Sequence, residues 1–339
     1  MSAPPARFEN RRMVYCHPPV GLSTLFRPLP KRKGGARPAL DITYRQFEEG
    51  PYLRFSGRAA LGIPEQTLLL AIMELAKQQF EAFASDVVVN AGTESEIGRE
   101  LWNKLHKDGV GTGEQTLRLE TSWHELNRRC GAQNGGTSQE LREQQLERLC
   151  EVIVWECQGD KKGTKRQSYL VALLVGNNER IHLALNCRLA SALLGQPYAQ
   201  VSMAERLALD EDIPMALHAF LSTMIAHGRK LKIGVERLVG RLWPGSSDTA
   251  PRSTHRGRRK DVRDGLIAIG RLEGWSVDWE RSDMAIVTRH GAGVGDMTWH
   301  NGNRTSSYPQ QALPIIIKEN KGLRTFDASG IFFNKNTSA

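Results

Sequence analysis

The sequence has no apolar run long enough to cross a bilayer. Its longest, Leu68–Met73 and Tyr169–Val175, stop far short of the roughly 20 residues a spanning helix needs. The first residues carry no apolar stretch of the signal-peptide kind, so a cytoplasmic protein is expected, with no membrane partner. Cysteine is scarce and unpaired in pattern. Cys16, Cys130, Cys150, Cys157 and Cys187 are odd in number and form no CxxC, which argues against a disulfide framework and for a reducing compartment.

Chemistry-bearing motifs are missing as well. The nine histidines make no His-x-His, HExxH or Cys-His spacing, so no metal and no cofactor are expected. A phosphate-binding loop would need GxxxxGK followed by Ser or Thr; the nearest segment, Gly159–Lys165, lacks that spacing. Gly291, Gly293 and Gly295 mimic a dinucleotide fingerprint but sit in no βαβ unit. Asp210, Glu211 and Asp212 directly precede a helix, where acids suit capping and the helix dipole better than a metal. With no nucleophile or carboxylate constellation in view, the chain reads as a non-enzyme.

Positive charge is what the sequence has. Lys and Arg number 46 against 37 Asp and Glu, a net +9 over 339 residues, which favours a polyanionic partner. The surplus is concentrated between Arg252 and Arg271. There Arg252, Arg256, Arg258, Arg259, Lys260, Arg263 and Arg271 oppose only Asp261 and Asp264, a surplus of five. Val262, Leu266 and Ile269 recur at helical spacing and predict a core-facing stripe, with Ser253 or Thr254 as N-cap. Arg256, Lys260, Arg263 and Ile267 gather roughly 100–160° away from Val262 on the wheel. One sign on the face opposite an apolar stripe is the pattern of a helix laid into a DNA major groove. Arg256, Lys260 and Arg263 are the expected base readers, with phosphate contacts from Arg252 and Arg259 and a further DNA-binding place for Arg258.

The surrounding pattern predicts an α+β chain of two tandem winged helices, each a helix-turn-helix with a β-hairpin wing. Residues 1–38, rich in Pro and Arg, read as a flexible basic arm. Residues 39–200 form the first winged-helix domain, with an insertion at 84–116. Its helix from Pro64 has a stripe of Leu69, Ile72, Met73, Ala76 and Phe80, and its wing pairs strands near Val152–Cys157 and Gln167–Val175. The wing tip carries Lys161, Lys162, Lys165 and Arg166, suited to phosphate. Residues 201–290 form the second domain, the main reader of sequence, with Trp275, Val277 and Trp279 alternating inward. Residues 291–339 read as a mostly disordered tail with an apolar patch at Pro314–Ile317.

From about Leu25 to Arg289 the chain resembles the RepC-type replication initiators of IncQ-like plasmids, a group within the iteron-binding initiators. The resemblance is carried by LFRPL (25–29), LDITY (40–44), RFSG (54–57), HLALN (182–186), VSMAE (201–205), LWPGSS (242–247), RRKDVRDGL (258–266) and GWSV (274–277). It implies two winged helices on direct repeats of a plasmid origin, opening of adjacent A·T-rich DNA, and cooperation with a helicase and a primase. Residue by residue, the family's DNA-reading helix falls on Arg256 to Arg263. Covalently joined modules could place two helices in successive major grooves about 34–36 Å apart, suiting a monomer to a direct repeat, although self-association is open. The competing expectation is a winged-helix transcriptional regulator. Finally, Leu22-Ser23-Thr24-Leu25-Phe26 is similar to the short peptides that grip a sliding clamp. Packing of Leu25 and Phe26 on their own domain, or DNA tethering by the arm, are the alternatives.

Overall fold

A long, largely buried helix beginning at Ile63-Pro64 organises the N-terminal two thirds of the protein. The structure, a computed structural model, describes residues 12–29, 36–45, 50–106, 114–132, 136–158, 165–176, 180–244, 251–291, 315–319 and 322–326. The first elements are β1 (Met13–Cys16), α1 (Pro18–Leu22), β2 (Leu40–Arg45), β3 (Pro51–Gly57), α2 (Ile63–Phe83), β4 (Val88–Val89), α3 (Glu96–Leu105) and β5 (Thr116–Ser122). There follow α4 (Trp123–Arg129), α5 (Gly136–Cys150), β6 (Ile153–Gln158), β7 (Lys165–Tyr169), β8 (Val171–Val175), β9 (Arg180–Leu185) and α6 (Cys187–Ser191). The rest are β10 (Ala199–Ser202), α7 (Met203–Leu207), α8 (Asp212–Met224), β11 (Arg229–Gly234), α9 (Val235–Leu242), α10 (Arg252–Gly270), β12 (Trp275–Arg281), β13 (Met284–Arg289), β14 (Ile315–Glu319) and β15 (Gly322–Phe326).

Pro64 stands in the first turn of α2, where its missing N–H costs nothing, and Glu65 accepts the Gly62 N–H at 2.7 Å. The periodicity predicts a one-sided stripe along this helix. Instead almost every residue from Ile63 to Ala76 is buried, because α2 forms the axis of the first core. Two buried carboxylates come with it, and both are paired: Glu65 with Arg37 (3.0 Å) and Arg148 (2.8 Å), Glu74 with Arg12 (2.7 Å) and Arg129 (3.1 Å). Unpaired, each would carry a desolvation penalty of several kcal/mol.

Two four-stranded sheets, in the orders β2-β3-β6-β7 and β4-β5-β9-β8, contribute side chains to the same core as α2. The strand expected through Gln167–Val175 is two strands. Buried Leu170 separates β7, which pairs with β6, from β8, which pairs with β9 in the other sheet. The stretch 84–116 is more than an insertion, since Leu101 and Leu105 of α3 are fully buried against Ala172 and Ala184.

Residues 12–29 also depart from expectation. They are built into the fold, and only residues 1–11 and 30–35 of the expected arm lie outside the described residues. β1 pairs antiparallel with β10, and its Val14 and Cys16 alternate inward at the period of a strand. Leu25 and Phe26 are buried in the first core, whereas Leu22 packs in the second. Arg241 of α9 donates to the carbonyls of Gly21 (3.0 Å), Leu22 and Ser23 (2.9 Å), satisfying groups that the end of α1 leaves free.

The second core collects α8, α9, α10 and the three-stranded sheet β11-β13-β12. Gly265 lets α10 approach α8 closely; a Cβ there would stand 2.9 Å from Leu217 Cδ1. Arg206 of α7 joins the two cores. Fully buried, it donates to Gln66 (3.0 Å) and Thr67 (3.0 Å) on α2 and to the Met215 carbonyl (3.0 Å) on α8. In the expected tail, β14 and β15 form an antiparallel hairpin; the rest of that expectation, from residue 292, lies outside the described residues. No helix among the described residues is long and apolar enough to cross a membrane.

Candidate nucleic-acid interface

The helix with the charge surplus is α10. It begins at Arg252 after Pro251 with no side-chain cap, two or three residues earlier than a cap at Ser253 or Thr254 would start it. Val262, Leu266 and Ile269 are fully buried, so the stripe lies where its spacing puts it. Arg252, Arg256, Lys260 and Ile267 are exposed along the outward side. Lys260 pairs with Asp264 at 2.8 Å one turn on, an exposed pair of small energetic weight.

The remaining cations of the helix are drawn to neighbours. Arg258 lies over the Trp243 ring, 5.1 Å from its centroid, at the end of α9. Arg259 and Arg263 both donate to Asp283, in the turn between β12 and β13. The two guanidiniums hold the Asp283 carboxyl below the usual carboxylate range, and Asp283 in turn raises Arg259. The Asp283 carbonyl accepts the Val235 N–H at 2.9 Å, so the hairpin turn is tied to the start of α9 as well. The helical wheel groups Arg263 with Arg256 and Lys260; in the fold it is half-buried at the edge of that row and fixed by the hairpin.

The hairpin differs from expectation at its outer end. Trp275 is buried, yet Trp279 is 38% exposed, because β12 runs past the core to Arg281 with an irregular register after Trp279. Beside it, β11 is an edge strand exposing Arg229, Lys230 and Lys232, the last paired with Glu280 at 2.5 Å. The sequence signal for these is Lys230 and Lys232 alternating with Leu231 and Ile233, easily overlooked beside the richer helix.

The first unit presents a different surface. Its helix α5 turns Arg142 and Arg148 inward, to Asn127 (3.2 Å) and Glu65 (2.8 Å). Glu140, Leu141, Gln144 and Glu147 face outward. In a groove, that face would set carboxylates against phosphates, so a second groove-reading helix is not supported by α5. Arg166 pairs with Glu114 at 2.8 Å, and Lys165 pairs through its backbone with Cys157 in the β6–β7 ladder. Lys161 and Lys162 lie outside the described residues.

The family model for replication protein C (RepC) matches residues 13–289. The chain belongs to this family. Two solved structures are also similar, both of domains 2 and 3 of RctB. One is a selenomethionine derivative, at 8% identity and TM-score 0.47, covering 78% of this chain and 95% of that one. The other stands at 8% identity and TM-score 0.45, covering 77% and 93%. Among curated proteins no significant match is found. RepC membership makes this a replication initiator, a protein of DNA replication. For this RepC chain, leaving Leu25 and Phe26 as free anchors for a sliding clamp conflicts with their burial, at 0% and 8% exposure.

Proposed function

We propose that this RepC chain binds direct repeats at a plasmid origin through its second unit, with α10 in the major groove. The order α8, β11, α9, α10 and the β12–β13 hairpin is that of a winged helix, and the hairpin is its wing. The observation that carries the reading is the outward row Arg252, Arg256, Lys260 and Ile267, flanked by Arg259 and Arg263. Arg256, Lys260 and Arg263 read base edges, while Arg252, Arg258 and Arg259 meet phosphate. In the first unit the tip of the β6–β7 hairpin, with Lys161, Lys162, Lys165 and Arg166, adds backbone contacts. Binding at several repeats then strains neighbouring A·T-rich DNA, where a helicase and a primase are loaded.

Footprinting on supercoiled origin DNA, with stoichiometry from analytical ultracentrifugation, tests this. One chain per direct repeat, with enhanced reactivity in adjacent A·T-rich DNA, is the expected result. Protection of a palindrome by a dimer, with no opening, would assign the protein to transcriptional regulation instead.

A further inference from the structure

Three side chains distant in sequence converge in the first unit, away from α10. His106 caps the end of α3, Glu114 lies just ahead of β5, and Cys187 opens α6. Their ligand atoms all lie within 4.8 Å of one another. Cys187 Sγ and His106 Nε2 are 3.5 Å apart. That separation has a physical meaning. With zinc–nitrogen and zinc–sulfur bonds of about 2.0 and 2.3 Å at a tetrahedral angle, the two ligand atoms stand about 3.5 Å apart.

The surroundings suit a cation. His106 is buried, and the Trp102 ring lies 4.2 Å from it, centroid to centroid, fixing the imidazole. Glu114 accepts Arg166 at 2.8 Å through Oε1 and also interacts with the Cys187 thiol. Glu156 also lies near Cys187 and is itself paired with Arg188 at 2.9 Å.

We propose that His106, Glu114 and Cys187 hold one divalent cation of the zinc class, with water as the fourth ligand. Nitrogen, thiolate and carboxylate donors together favour zinc over magnesium or calcium, which take oxygen alone. On binding, the Cys187 S–H bond breaks, its electron pair forms the metal–sulfur bond, and the proton leaves to solvent. His106 binds as neutral imidazole. The site lies away from α10 and is tested apart from groove reading, although Arg166, a proposed phosphate contact, touches it through Glu114.

The test uses the full chain, untagged and purified under reducing conditions without chelator. Elemental analysis should find one zinc per chain. Cobalt(II) added to the stripped protein should give thiolate-to-cobalt charge-transfer absorption and the visible bands of a tetrahedral site. Cys187→Ser should abolish the charge-transfer band, and Glu114→Gln, on the more exposed ligand, should weaken cobalt binding at least tenfold at an unchanged melting temperature. If Cys187→Ser does not fold, the parent spectrum and Glu114→Gln decide. Absence of zinc and of the charge-transfer band in the parent would overturn the proposal, leaving a plain thiol–imidazole hydrogen bond. So would a band that persists in Cys187→Ser, or cobalt affinity unchanged in Glu114→Gln.

Discussion

Asp283 at the turn of the C-terminal hairpin accepts Arg259 on one carboxylate oxygen and Arg263 on the other. Two of the strongest phosphate-seeking groups on α10 are thereby held by a carboxylate in the protein itself. Replacing Asp283 with Ala should release Arg263 and leave Arg259 only its longer pairing with Glu236, at 3.9 Å. Binding to random duplex should strengthen, and the slope of log K against log salt should steepen by up to about 0.9 for each phosphate newly neutralised. The ratio of specific to random affinity should fall, because Arg263 loses the partner that aims it. The paired groups are partly exposed, so the melting temperature should fall only slightly. An unchanged slope and ratio would show that Asp283 has no part in DNA recognition.

Arg256→Ala and Arg263→Ala should each weaken binding to the repeat by about 1–3 kcal/mol and leave random duplex nearly unaffected. Ile267, 42% exposed on the same row, is apolar and suits a thymine methyl. Ile267→Ala should therefore relax preference at one T·A pair. Competition with single-base variants of the repeat measures all three. Equal losses on repeat and random DNA would demote these residues to backbone contacts.

Neutralising Lys161, Lys162, Lys165 and Arg166 together should act on the salt dependence instead. Up to four phosphates would then keep their counterions on binding, and the slope should flatten by roughly 0.9 for each, at nearly constant base preference. A titration in potassium glutamate or chloride checks this. A slope equal to the parent's would place the β6–β7 hairpin away from DNA.

The second unit is legible in the sequence because its elements are amphipathic and consecutive: Val262, Leu266 and Ile269 predict one face, and that face is buried. The first unit is harder. α2 carries polar residues, among them Glu65, Gln66, Thr67 and Glu74, that the fold buries together with its apolar stripe, so periodicity reads a central helix as a one-sided one. β7 and β8 run on with only Leu170 between them, and no turn residue marks the change of sheet. The arm reads as flexible because Pro and Arg hide the alternation of Val14 and Cys16. Net charge misleads as well. Arg206, Arg241 and Arg289 contribute to the surplus, yet each serves backbone carbonyls within the fold. Long-range pairings such as Arg259 and Arg263 with Asp283 have no local signature at all.

The burial of Leu25 and Phe26 turns the N-terminal segment into part of the structure. Phe26 bridges to Leu61, and the Arg27 N–H donates to the Leu61 carbonyl at 3.2 Å. Leu25→Ala should cost about 2–5 kcal/mol through the cavity it leaves. Chemical denaturation measures this directly. A loss below about 1 kcal/mol would mean that the segment detaches readily in solution and that its anchors are available to a partner after all.

Stability should also depend on pH through His218. Its ring is fully buried, with Nε2 2.9 Å from Glu205 Oε2 and a buried Nδ1 that has no partner among the described residues. The Trp275 indole N–H donates to the same carboxylate oxygen at 2.9 Å. Burial lowers the His218 pKa, and this outweighs the pull of Glu205 in the other direction. His17 is lowered too, to about 4, mainly by burial. In the unfolded chain both would titrate near 6.5. Below that pH the unfolded state gains protons that the folded state refuses, so the folded state loses ground as pH falls. For His17 the loss should level off near pH 4. The slope due to His218 is at most about 1.4 kcal/mol per pH unit. Denaturant midpoints between about pH 6.5 and 5, above the range where most carboxylates titrate, isolate the histidines. His218→Gln should flatten the dependence in that window relative to the parent; a parallel curve would mean that His218 is protonated in the folded protein and paired with Glu205 as an ion.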